Sequence, residues 1–120
     1  MQFLLVFIAG GLGSVLRYSL SFVFKNQVTI SLPIATLSAN IISCIIFALV
    51  CWKFPMREAI PANIRTFVLI GFCGGLSTFS TFSFETFELI KRGDVMWAVA
   101  NILLSIGLCM IPFFVWGQKG

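Results

Sequence analysis

The chain has 120 residues, 59% of them hydrophobic and 10% charged, with a formal net charge of +4 and a mean hydropathy of +1.05. That balance excludes a water-soluble domain of this length and leaves a chain whose solvent is a bilayer. It holds no histidine, no nucleophile beside a base and no cofactor motif, so nothing in it supports an enzyme. The positive charge carries no specific message, because basic loop residues are ordinary anchors at lipid headgroups.

Four apolar segments, each near the roughly 20 residues that cross a hydrocarbon core, predict an all-α membrane protein. Its single domain, residues 1–120, holds four transmembrane helices. The first, Gln2 to Phe24, lacks a basic start and continues into GGLGSVLRY, which reads as a spanning helix and not as a cleavable signal peptide. Gly10, Gly11, Gly13 and Ser14 would let backbones approach closely, either between copies or within one subunit. Lys25 and Asn26 follow it. The second segment, Leu32 to Trp52, carries Thr36, Asn40, Ser43 and Cys44 at i, i+4, i+7 and i+8, on one helix face. Lys53 to Pro61 form the next connection.

The third segment, Ala62 to Ile90, is long and interrupted. Within it GFCGGLSTFSTFSFE, Gly71 to Glu85, predicts a helix broken at Gly74–Thr78. Lipid offers backbone N–H and C=O groups no partners, so such a break must be buried in protein or line a polar cavity, and an ion path is its natural use. After it Phe79, Phe82 and Thr86 share one face, and Thr81, Glu85 and Glu88 another. Lys91 to Asp94 lead into the fourth segment, Val95 to Trp116, where Asn101, Ser105 and Cys109 repeat at i, i+4 and i+8.

Two aligned polar stripes suggest the wall of a path, although intramembrane Asn, Ser and Thr also serve to join helices. Aromatic rings have positive edges, so Phe79 and Phe82 could face a small anion without any fixed positive charge. Glu85 is the acid within the spans proper, either a functional carboxylate or the partner of Arg17 or of a hydroxyl. Cys44, Cys51, Cys73 and Cys109 form no C-x-x-C pair and read as small buried hydrophobes.

Basic residues are nearly balanced across the membrane. One side holds Lys53, Arg57, Arg65 and Lys119, the other Lys25, Lys91 and Arg92, with Arg17 near its edge. Orientation rules need an asymmetry to act on, so insertion in both directions and an antiparallel dimer are expected, the other reading being that some charges are buried and a residual bias selects one topology. Four short helices leave little room for a water-filled path of their own, which also points to a second copy.

The motif GFCGGLSTFSTFSFE, with GGLGSVLRY at Gly10 to Tyr18 and ATLSAN at Ala35 to Asn40, resembles the Fluc (CrcB) family of small bacterial fluoride channels along the whole chain. The resemblance implies an antiparallel, dual-topology homodimer in the bacterial inner (plasma) membrane. Its two pores would export fluoride passively from the cytoplasm, exclude chloride and give fluoride resistance. It further implies that Phe79 and Phe82 form an aromatic box, that Asn40 coordinates fluoride through its amide with Thr36 nearby, and that Thr81, Glu85 and Ser105 continue a polar track. A central sodium ion at the dimer interface would be held by backbone carbonyls of Gly74 and Ser77. The sequence departs from the family pattern at Ser77, usually Thr, at Ala35 and Ser43, usually Gly, and at Cys109, often a hydroxyl residue. The glycine losses bear on how closely helices pack, and the thiol is a poorer donor than a hydroxyl. Pairing with a separately encoded homologous chain stays open beside the homodimer.

A rival of another class is a small multidrug or guanidinium exporter, which shares the length, the four helices and the dual topology. Such exporters resemble one another in an embedded glutamate on the first helix, and the first segment here has no acid, only Arg17. A non-transporting assembly subunit gives no reason for a broken helix flanked by a Phe pair.

Overall fold

The computed structural model describes residues 1–24, 33–54 and 57–116, and every regular element among them is helical. Four helices are long and apolar enough to cross a membrane. They are α1 (Gln2–Phe24), α2 (Ile34–Lys53), a third span over Ala62–Lys91, and α6 (Val95–Trp116). The expected start of the second span at Leu32, the loop residues Lys25 and Asn26, and Lys119 lie outside the described residues.

The third span is composite. It begins as one α turn, α3 (Ala62–Ile64), continues as a nine-residue π-helix over Arg65–Cys73, and returns to α geometry in α4 (Gly74–Leu76). Ser77 (φ −83°, ψ 155°) and Thr78 (φ −153°, ψ 126°) are extended, and α5 (Phe79–Lys91) follows. Gly74 and Gly75 therefore remain helical, and the extended pair are the hydroxyl residues after them. Thr78 caps α5: its Oγ1 accepts the Thr81 N–H at 3.3 Å, which satisfies one of the orphan donors at a helix start. At the other end Gly93, at φ 90°, takes the left-handed conformation that closes a helix, with Asp94 N–H reaching back to the Leu89 carbonyl at 2.8 Å.

What the glycines supply is proximity. α1 lies along the π-helix and α4, while α2 lies along α6. A Cβ on Gly13 would collide with the Phe72 carbonyl oxygen and stand 2.8 Å from the Leu76 nitrogen. One on Gly75 would collide with the Gly10 carbonyl oxygen, and one on Gly71 would stand 2.6 Å from the Ala9 Cβ. Backbone meets backbone along this seam, as small residues permit in membrane helices. Gly10 and Gly13 thus pack helices within one chain, while Gly11 has open space before it. Apart from Ala9 and Gly13, α1 buries no residue, and its remaining surface is largely apolar and available to lipid or to another chain.

Ser43, where the resemblance expected glycine, is buried and fits. Its Oγ donates to the Cys73 carbonyl at 3.0 Å, and the Cys73 thiol donates to the Ser43 carbonyl at 3.5 Å. The larger side chain is accommodated because it adds a reciprocal bond between α2 and the end of the π-helix.

Candidate ion path

The extended residues leave α4 with carbonyls that no continuing helix can satisfy. Cys73 O accepts from Ser77 N–H at 2.9 Å, from Ser77 Oγ at 2.8 Å and from Ser43 Oγ. Gly75 O accepts from the Arg17 Nε at 3.2 Å, so Arg17 is spent on backbone and not on Glu85. The next amide that would close a turn, Thr78 N–H, turns away from Gly74 O and donates to Asn40 Oδ1 at 2.9 Å. The Gly74 carbonyl has no hydrogen-bond partner among the described residues.

The bond to Thr78 orients Asn40. A backbone N–H can only meet an acceptor, so the amide oxygen must face the extended residues, and the NH₂ must face away from them. Among the described residues that NH₂ has no partner, and Asn40 lines a cavity of about 520 Å³.

The cavity gathers part of the expected set. Asn40, Phe79, Phe82, Ser105, Gly74 and Ser77 all line it. The Phe79 and Phe82 rings stand 5.7 Å apart, tilted by 43°, and Phe79 is 78% exposed. Thr36, Thr81 and Glu85 lie elsewhere. The buried Thr36 side chain lies beside the Glu85 carboxyl, whose Oε1 is buried without a partner among the described residues. Thr81 Oγ1 accepts from Thr78 Oγ1 at 3.3 Å, within the cap of α5. No group of three or more His, Cys, Asp or Glu is placed to hold a metal among the described residues.

One network was not foreseen from the sequence. Ser105 Oγ donates to Asn101 Oδ1 at 3.3 Å, Asn101 Nδ2 to Thr86 Oγ1 at 2.8 Å, and Thr86 Oγ1 to the Phe82 carbonyl at 2.8 Å. This chain ties α6 to the turn of α5 that carries Phe82. Asn101 is 1% exposed with both ends of its amide engaged, so it joins helices and does not face the cavity. Thr86 shares a face with Phe79 and Phe82 in the sequence, but nothing in the spacing shows that Asn101 on the next helix reaches it.

Comparison with known proteins extends over nearly all of the chain. Residues 4–117 match the family model described as CrcB-like protein, Camphor Resistance (CrcB). A protein of Citrifermentans bemidjiense named fluoride-specific ion channel FluC is 46% identical over 110 residues, covering 88% of this chain and 87% of that one. Proteins of the same name from Serratia proteamaculans and Clostridium perfringens are 41% and 38% identical, over 103 and 117 residues. The first of these two covers 86% of this chain and 80% of the relative, the second 97% and 90%. The interrupted third span, the Phe pair and the cavity beside Asn40 thus belong to a member of the CrcB family.

Proposed function

We propose that this chain is a fluoride-selective channel, through which fluoride leaves the cytoplasm passively, and that it confers fluoride resistance. The observation that carries this reading is the Asn40 amide: its oxygen is held by Thr78 N–H, and its NH₂ is left to donate into a cavity shared with the Phe79 and Phe82 rings. Fluoride is small and strongly hydrated, so a path must replace its water with donors. The Asn40 NH₂ supplies two and the ring edges add weak positive potential, while the Ser105 hydroxyl on the same wall donates to Asn101 Oδ1 and would have to turn from it to meet the ion. Chloride, larger and less demanding of donors, gains less from the same groups. The names of the relatives support the reading, and a channel that conducts passively is not an enzyme.

The same proposal extends to assembly and place. The working unit is an antiparallel homodimer with two paths, inserted in both directions in the bacterial inner membrane, with the third span acting as a broken helix at its centre. Near-balanced basic residues on the two sides favour dual insertion. Phe79, so widely exposed, is available to a second copy. Thr36, Thr81 and Glu85 would serve this path from behind the wall, as the hydroxyl–carboxyl pair and the cap that hold α2 and α5 in register.

A central sodium ion is part of the proposal, and the donor chemistry fits it. The Gly74 carbonyl lacks a hydrogen-bond partner among the described residues and Ser77 is extended, so neutral backbone oxygens are available to a hard cation. Two oxygens are too few for a closed shell, so Gly74 and Ser77 of both copies would have to contribute. When bound, the ion would supply fixed positive charge at the interface. The Ser77 side chain leaves that role unchanged, because its hydroxyl is turned back to Cys73 O.

The test is efflux from liposomes holding the purified full chain, loaded with fluoride or with chloride and read by ion-selective electrodes. Rapid fluoride loss with chloride retained is the expected result. Well-folded protein that releases neither ion faster than protein-free liposomes would overturn the channel.

A further inference from the structure

Cysteines at positions 44 and 109 meet where the sequence suggested only small hydrophobes. Along the cavity wall Asn40, Cys44 and Phe47 on α2 run beside Ser105, Cys109 and Phe113 on α6, and all six line the cavity. The Phe47 and Phe113 rings are in contact, 5.8 Å apart at 63°. One layer nearer Asn40, the Cys44 and Cys109 side chains face each other across the same cavity. At a rise of about 1.5 Å per residue, the thiols lie roughly 6 Å along the helix from Asn40.

The packing of α2 against α6, and not a bond between the thiols, holds the pair on facing walls. Two sulfurs on facing helices, half-buried in one apolar cavity, are the donor set of a soft cation. Zinc asks for about four ligands, and no third His, Cys, Asp or Glu completes such a set among the described residues. An ion content with two sulfurs in line is what remains. Cys73 also lines the cavity, but its thiol is turned to the Ser43 carbonyl, and Cys51 lies outside it.

We propose that Cys44 and Cys109 form a binding site for a soft, two-coordinate cation such as Hg(II), and that its occupation closes the path beside Asn40. Each thiol gives its proton to water as a sulfur–mercury bond forms. The two chlorides of mercuric chloride leave, and no electron is transferred. Neutral mercuric chloride can reach the apolar cavity where a hydrated ion is resisted. Binding stands on the thiol pair alone, while closure rests on the channel reading above.

The full chain in liposomes is titrated with mercuric chloride, following both the thiolate-to-mercury charge-transfer absorption and fluoride efflux. The expected result is one mercury per chain, with efflux falling to the protein-free rate. Cys44→Ser and Cys109→Ser, and the matching alanine variants, should lose the absorption and the block, each measured against its own unblocked rate. Cys51→Ser and Cys73→Ser should keep both. Undiminished absorption in the Cys44 and Cys109 variants would overturn the site. Binding at the pair with efflux unchanged would overturn closure. A protein that shows no fluoride efflux before mercury is added fails the channel reading instead, and the absorption titration still decides the site.

Discussion

Two seams hold the third span, and they work in opposite ways. Toward α1, contact is made by leaving side chains out: Gly13, Gly71 and Gly75 bring backbone against backbone. Toward α2 and α6, contact is made by polar side chains: Asn40, Ser43 and the Asn101 network reach across while a cavity stays open between them. The first seam tolerates no added atom, and the second tolerates exchange of side chains as long as its hydrogen bonds are kept. Rigidity on one face is what allows the other to stay open.

Gly13→Leu attacks the rigid seam and should have the largest effect. Even its Cβ collides with the Phe72 carbonyl oxygen, and overpacking of this kind typically costs about 1–3 kcal/mol before the rest of the side chain is added. The expected outcome is failure to purify a monodisperse protein, read by size-exclusion chromatography, whereas Gly107→Ala, with open space at its Cβ, should purify normally. A well-behaved Gly13→Leu would mean that the seam opens in the membrane.

Asn40→Asp separates the two duties on the open face. The carboxylate can still accept from Thr78 N–H, so the fold should persist, but it donates nothing and is charged like the ion it meets. A hydrogen bond to a charged group contributes about 1.5–3 kcal/mol, so with two donors lost fluoride efflux should fall by roughly 100-fold or more with the elution profile unchanged. Retained flux would remove Asn40 from the mechanism.

Phe82→Ile is milder. Aromatic pairs contribute about 0.5–1.5 kcal/mol beyond their area, so losing the ring contact with Phe79 should slow efflux by roughly three- to tenfold with the elution profile unchanged. An unchanged rate would reduce the rings to packing. The smallest effect belongs to Ser43→Ala, which removes one buried bond to Cys73 O and should cost about 1 kcal/mol in an unfolding titration, with the selectivity for fluoride kept. Loss of selectivity in that variant would show that Ser43 acts on the ion and not only on the fold.

The four spans were legible because a bilayer demands long apolar runs, and their charges collect at the ends. Asn40 and the Phe pair were legible through motif and spacing, and the cavity does gather them. The π-helix over Arg65–Cys73 was not, since its residues are as apolar as those of any spanning α-helix. The partner of Glu85 was one of several open choices, because Thr36 reaches it from another helix, and helix spacing describes only one helix at a time. The same blindness hid the Asn101–Thr86 bond and the meeting of Cys44 with Cys109.

The amides at the start of α5 are unequal in a way that hydrogen–deuterium exchange can read. Thr78 N–H is bound to Asn40 and Thr81 N–H to the Thr78 hydroxyl, while Phe79 and Ser80 N–H, at the exposed first turn, have no acceptor among the described residues. Slow exchange is therefore expected at Thr78 and Thr81, with two fast sites between them. An ion drawing on the Asn40 NH₂ would polarise the amide and make its oxygen a stronger acceptor. Thr78 would then slow further as fluoride is added, so that one backbone proton reports occupancy of the path from outside it.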